Sequence, residues 1–221
     1  MSSVKAIAKA IIFDLDGTLI DSAPDIAAAV NRFLVEQGWK PLETEYVEQF
    51  IGDGPRALMA RILQGQGLPT DDDFVTEAVK AYLGNYARSP AKLTKFFAHV
   101  VEDLEALAAS GFRLGICTNK PQALTQQVLR ILKVDHLFEA ALGADAVPKR
   151  KPDAAHLFAV IDAMGLQRDE VAYVGDTDVD KNCATSAGVP FYLVSWGGGL
   201  HVSETGATRI KRLIDLKLHL P

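Results

Sequence analysis

The chain has 221 residues, enough for one large domain or a core with a smaller partner. Its 48% hydrophobic residues can fill a core, and a net charge of −5 argues against nucleic acid or an anionic membrane as the main partner. No apolar run approaches the roughly 18 residues that cross a bilayer, and residues 1–10 lack the apolar centre of a signal peptide, so the expected location is cytoplasmic.

The first predicted element is a short buried strand over 10–15, ending in Asp14-Leu15-Asp16-Gly17-Thr18. From about 22 to 94 no strand is expected. Amphipathic helical segments near 24–37, 43–50, 55–64 and 72–88 fill that stretch, punctuated by Gly38, Gly52, Gly54, Gly65 and Gly67. Beyond it, apolar runs at 112–117, 138–142, 171–174 and 191–194 alternate with helical patterns at 99–110, 121–132, 153–164 and 178–187. Gly111, Gly165 and Gly188 stand just past three of these helices, where a left-handed cap favours glycine. Such alternation predicts an α/β fold, a Rossmann-like doubly wound parallel sheet. The helical block reads as an inserted cap over 21–94, with 1–20 and 95–221 forming the core. The alternative is a third layer packed on the sheet. Cys117 and Cys183 read as small core residues, since no C-x-x-C pair supports a disulfide framework or a zinc site.

Four positions carry polar residues at or near strand ends: Asp14 and Asp16, then Thr118-Asn119-Lys120, then Lys149-Arg150-Lys151-Pro152, then Gly175-Asp176 through Asp180. Ligands of open α/β sheets bind outside the carboxyl ends of the strands, so all four groups should face one crevice. A dianionic phosphate cannot approach these carboxylates without a cation. Mg²⁺ on oxygens of Asp14 and Asp176 would solve this. Lys151 would neutralise a phosphoryl oxygen, with Lys149 as the fallback, and Thr118 would add a neutral donor. Asp14 could then attack phosphorus, with Asp16 as acid and base.

These residues resemble the haloacid dehalogenase superfamily, whose signatures are D-x-D-G-T, a strand-end Ser/Thr, a lysine often followed by proline, and G-D-x-x-x-D. The matches run in the family's order from residue 11 to about 196. The resemblance implies Asp14 as nucleophile, Asp16 as general acid/base, and Mg²⁺ held by Asp14, the Asp16 carbonyl and Asp176, with Asp180 supporting the metal directly or through water. It also implies a mobile helical cap inserted after the first motif.

Phe13 to Ser22 is similar to the phosphatase branch, and Ile51-Gly52-Asp53-Gly54 with Arg56 is similar to the cap loop of phosphoglycolate phosphatases. The implied substrate is a small phosphorylated metabolite, best matched by 2-phosphoglycolate. The expected substrate-contacting set is Gly17, Thr18, Gly52, Gly54, Arg56 and Asn119. The chain departs from the pattern at Phe96-Phe97-Ala98-His99, where such phosphatases usually carry Pro-Gly. The expected state is a monomer or homodimer.

Other readings stay open here. Thr118 could cap the following helix, Arg56 could sit in water, and Gly52-x-Gly54 could be a plain interhelix turn. Asp178 reads as an exposed helix cap, and the five histidines, among them His201, as structural or solvated. Gly197-Gly198-Gly199 reads as a flexible loop. A calcium loop starting at Asp176 fails, because Lys181 and Ala187 occupy its sixth and twelfth positions. The rival functions are a β-phosphoglucomutase-like phosphomutase, a phosphatase for another small ester, a dehalogenase, and a non-catalytic binding protein.

Overall fold

A computed structural model describes residues 9–198, 202 and 206–220. Gly199 and His201 lie outside the described residues. The chain opens with β1 (Ala10–Phe13), whose four residues are all buried. Its unbroken apolar sequence suits a parallel strand covered on both faces. After the first motif come β2 (Ile20–Asp21) and the helices α1 (Ala23–Glu36), α2 (Thr44–Glu48), α3 (Pro55–Gly65) and α4 (Asp72–Ala87). The chain returns through β3 (Lys95–Phe96), which pairs antiparallel with β2. It then alternates through α5 (Val100–Ala109), β4 (Arg113–Cys117), α6 (Gln122–Ile131), β5 (Ala140–Leu142), α7 (Ala154–Ala163), β6 (Val171–Gly175), α8 (Asp178–Ala187) and β7 (Phe191–Val194). It ends with β8 (Thr208–Ile210) and α9 (Leu216–His219).

Six strands form one sheet in the order β5-β4-β1-β6-β7-β8, with every pair parallel. Side chains of β1 alternate between the two faces. Ile11 and Phe13 join a cluster with Leu104, Leu107 and Val128. Ile12 joins Leu157, Val160 and Ile161 on the other side. The sheet is therefore doubly wound, with helices on both faces.

The helical cap carries its own cluster, including Val30, Phe33, Leu58, Ile62, Val75, Tyr82 and Tyr86. Two short strands, β2 and β3, carry the chain into and out of it. Asp25 at the start of α1 fastens the return path, accepting hydrogen bonds from the Leu93 amide (2.8 Å), the Thr94 amide (2.7 Å) and the Thr94 hydroxyl (2.7 Å). At the departure from the Pro-Gly pattern, His99 takes φ 64°, the left-handed conformation that glycine adopts most readily.

The three small elements β2, β3 and β8 were not expected from sequence. The first strand also ends at Phe13, before the predicted limit of 15, because Asp14 and its successors turn away from the ladder. Among the described residues, no helix is long and apolar enough to cross a membrane.

Candidate active site

Register builds the site. Phe13 lies opposite Ile116 on one side and Val174 on the other, so three adjacent strands end at one level. Asp14, Thr118 and Asp176 follow those ends directly and are all buried. The Asp14 amide donates to the Val174 carbonyl at 2.9 Å, which holds the first residue of the motif at the sheet edge.

Gly17 turns the chain back with φ 86°, and a Cβ there would overlap Asp176 Oδ2. The turn therefore needs glycine for both its backbone and its neighbour. It lets Thr18 Oγ1 donate to Asp176 Oδ1 at 2.7 Å. The Gly198 amide donates to Asp176 Oδ2 at 2.9 Å, so both carboxylate oxygens are aimed. Trp196 Nε1 closes this corner by donating to the Thr18 carbonyl at 2.9 Å.

Lys151 is the central buried cation. Its Nζ lies 2.8 Å from Asp14 Oδ1, 2.6 Å from Asp180 Oδ1 and 2.9 Å from the Tyr173 hydroxyl. The Asp14 contact is out of line for a hydrogen bond, so that buried oxygen has no hydrogen-bond partner. Asp180 Oδ2 accepts from the Thr177 amide at 3.0 Å and the Thr177 hydroxyl at 2.6 Å. This reciprocal cap starts α8 and places Asp180 under the site. Thr177 is thus the cap residue, while Asp178 is the exposed first residue of the helix. Gly175 allows the close approach, because a Cβ there would overlap the Asp180 side chain.

Charge follows from burial. Desolvation raises the Asp14 carboxyl, Lys151 pulls it back, and the balance stands at about 7. Desolvation, then repulsion from Asp180 and Asp14, pushes Asp176 well above the carboxylate range. Asp180 goes the other way: burial raises it, but the Lys151 charge and its hydrogen bonds outweigh burial and hold it low. Burial alone would lower Lys151, yet Asp14 and Asp180 keep its ammonium above the ordinary value.

Asp16 faces a second lysine. Lys120 Nζ donates to Asp16 Oδ1 at 2.9 Å and Oδ2 at 3.1 Å, and to the Tyr86 hydroxyl at 2.8 Å. Ser22 Oγ also donates to Asp16 Oδ1 at 2.6 Å. Asn119 spans the two parts of the molecule. Its Nδ2 donates to the Gly52 carbonyl of the cap loop at 2.9 Å and to the Lys151 carbonyl at 3.1 Å. Thr118 does not cap α6, whose N-cap is Pro121. Its hydroxyl oxygen accepts from the Lys120 amide at 3.2 Å.

The cleft between cap and core is lined by Asp14, Asp16, Gly52, Gly54, Thr118, Asn119 and Lys120, together with apolar cap residues. Three members of the expected contact set, Gly17, Thr18 and Arg56, are elsewhere. The Thr18 hydroxyl is turned to Asp176. Arg56 binds Asp72 and donates to Thr76 Oγ1 at 3.0 Å on the exposed face of the cap. Its place at the start of α3 turns it toward α4 rather than the cleft. Gly17 lines the neighbouring opening beside Asp176. Lys149 reaches only Asp153, at 3.3 Å and in solvent, so Lys151 is the lysine of that loop that reaches Asp14.

Tyr173 and Tyr86 were not singled out from sequence, and Lys120 was placed at a polar strand end without a role. Tyr173 carried a signal, being a lone hydroxyl in an aliphatic strand. It lies 2.8 Å from Asp180 Oδ1 and 3.1 Å from the Cys117 carbonyl.

A divalent ion fits this donor set. Ligand oxygens of Asp14, Asp176 and Asp180 lie within 4.8 Å of one another. They are hard carboxylate oxygens of the kind that bind Mg²⁺ or Ca²⁺, and Asp14 Oδ1 is unclaimed by any hydrogen bond. Each Asp180 oxygen is engaged by two donors, the Lys151 ammonium being one of those on Oδ1, whereas each Asp176 oxygen accepts from one neutral donor. Asp14 and Asp176 are the better placed donors.

Comparison with known proteins shows the family. The family model described as haloacid dehalogenase-like hydrolase matches residues 11–194. A phosphoglycolate phosphatase of Cereibacter sphaeroides (strain ATCC 17029 / ATH 2.4.9) is 40% identical over 187 residues, 85% of each chain. One of Aquifex aeolicus is 34% identical over 189 residues, covering 86% of this chain and 85% of the relative. A crystal structure described as a predicted phosphoglycolate phosphatase from Haemophilus somnus superposes with a TM-score of 0.85 and 27% identity, over 96% of this chain and 98% of that one. The chain belongs to the haloacid dehalogenase-like hydrolase family.

Proposed function

We propose that the protein is a Mg²⁺-dependent phosphatase that hydrolyses a small phosphate monoester, with 2-phosphoglycolate as substrate, through an aspartyl-phosphate on Asp14. The observation that carries this reading is Asp14 Oδ1: buried, without a hydrogen-bond partner among the described residues, and 2.8 Å from the Lys151 ammonium beside the cleft between cap and core. The substrate follows the names of the similar phosphatases.

Asp14, the Asp16 carbonyl and Asp176 would hold the ion, which supplies positive charge that lets the phosphate approach the carboxylates. The remaining work belongs to the chain. Lys151 offsets charge on a phosphoryl oxygen, and Thr118 offers its hydroxyl proton to another. An Asp14 oxygen forms a bond to phosphorus while the bond to the ester oxygen breaks, and Asp16 gives that oxygen its proton. Water then attacks phosphorus, the Asp14 bond breaks, and Asp16 takes the proton back. Asp180 and Tyr173 hold Lys151 in place throughout.

The test is inorganic phosphate released from a panel of small phosphate esters, with Mg²⁺ and with chelator. Fastest release from 2-phosphoglycolate, lost with chelator, is expected. Interconversion of sugar phosphates with a bisphosphate activator would assign a mutase instead, and release unaffected by chelator would remove the metal from the reading.

A further inference from the structure

Resting on the phosphatase reading, we infer that Lys120 is a specificity-determining residue that receives a carboxylate on the leaving alcohol. The substrates it selects are phosphate esters of 2-hydroxy acids.

The cleft that would hold the leaving group is mostly apolar, with Ile26, Leu58, Tyr82 and Leu124 among its walls. It also holds two carboxylates, Asp14 and Asp16. Among its described lining residues Lys120 is the one cation, and its side chain is only 3% exposed. Arg56, the cation expected from sequence to read such a group, points away. An anionic leaving group entering here meets the carboxyl oxygens of Asp14 and Asp16, and Lys120 supplies the positive charge that can offset them.

A buried lysine could simply neutralise Asp16. The surrounding bonds argue for more. Asp16 Oδ1 keeps a second donor in Ser22 Oγ, so the carboxylate remains anchored if Lys120 shares itself. Lys120 contacts both Asp16 oxygens, and its third hydrogen goes to Tyr86, whose ring lies 4.6 Å from Nζ. The ammonium is thereby held from the cap side in a position to bridge two carboxylates. Its direct contact with Asp16, the residue beside the ester oxygen, also sets a length. That contact favours an anion close to the ester oxygen, and the carboxylate oxygens of a 2-hydroxy acid lie three bonds from it, nearer than any anionic group a long sugar phosphate would offer.

The test uses Asp14→Asn protein, which binds without turnover, and Lys120→Met in the same background. Calorimetry with 2-phosphoglycolate and its neutral counterpart ethyl phosphate reads the discrimination. Loss of one charge-assisted contact should weaken 2-phosphoglycolate by about 10- to 100-fold, with ethyl phosphate changed no more than about threefold. In turnover with Asp14 intact, the same selective loss should appear in KM. Lys120→Gln should repeat it if Lys120→Met does not fold. Equal losses for both esters, or equal binding of both by the Lys120 protein, would overturn the assignment and leave Lys120 a partner of Asp16 alone. Failure of the phosphatase reading looks different: discrimination in binding persists, while the Asp14 protein releases no phosphate from either ester.

Discussion

Neutralising Asp14 should stabilise the metal-free protein, by an amount set by pH. Asp14 sits at about 7 against an ordinary 3.8. Between those values the native state holds a proton that the unfolded chain has released. Raising the pH through that window therefore removes stability. Carrying the carboxyl that far costs about 1.5 kcal/mol at pH 5 and about 4 kcal/mol at pH 8. Asp14→Asn keeps the shape and abolishes the charge, so it should recover this cost. In chelator the variant should melt about 5 to 15 °C above the parent at pH 8, with less than half that gain at pH 5. Added Mg²⁺ should reverse the order, since an ion bound by Asp14 and Asp176 stabilises only the parent. Thermal melts of both proteins across pH 5 to 8, with and without Mg²⁺, read all of this, and phosphate release should be absent in the variant. A melting difference independent of pH, or a variant less stable at pH 8, would refute the account of Asp14.

Lys151→Met should abolish phosphate release and destabilise by roughly 3–5 kcal/mol, because it strands the buried Asp14 and Asp180 charges; denaturant titration measures it, and a loss under about 1 kcal/mol contradicts the central role of the lysine. Gly17→Ala combines a left-handed backbone with overlap at Asp176. It should cost about 2 kcal/mol and weaken the stabilisation that Mg²⁺ confers, and an unchanged Mg²⁺ titration would separate Gly17 from Asp176. Asn119→Ala removes the hydrogen bond to the Gly52 carbonyl. It should favour cap opening roughly fivefold, seen as faster hydrogen exchange at 52–54, since such a bond is worth about 1 kcal/mol.

The site was legible where chemistry and strand ends coincide. Asp14, Thr118 and Asp176 each follow an apolar run, and parallel register then forces them together. The parallel sheet was legible for the same reason, since strands buried on both faces are apolar throughout. What escaped depends on contacts between distant segments. Tyr86 reaches Lys120 across 34 positions of sequence, and Lys120 reaches Asp16 across 104. Nothing local marks Tyr86, and Lys120 shows only as the last residue of a polar strand end. Strands β2, β3 and β8 have two or three residues each, too few for a period to show. Arg56 failed as a cleft residue for a helical reason. Leu58 lines the cleft, and two positions along a helix is a turn of about 200°, which carries Arg56 to the far face.

The two carboxylates of the first motif have separate cations, and the origins of those cations divide the labour. Lys151 is fixed by Asp14, Asp180 and Tyr173, all from the core. No cap residue is among them, so the surroundings of Lys151 are built by the core alone. Lys120 shares its hydrogens between Asp16 in the core and Tyr86 on α4 of the cap. Its environment is complete only when the cap is down. Desolvation strengthens a charge-assisted contact, so Lys120 should grip an anion hardest in the closed state.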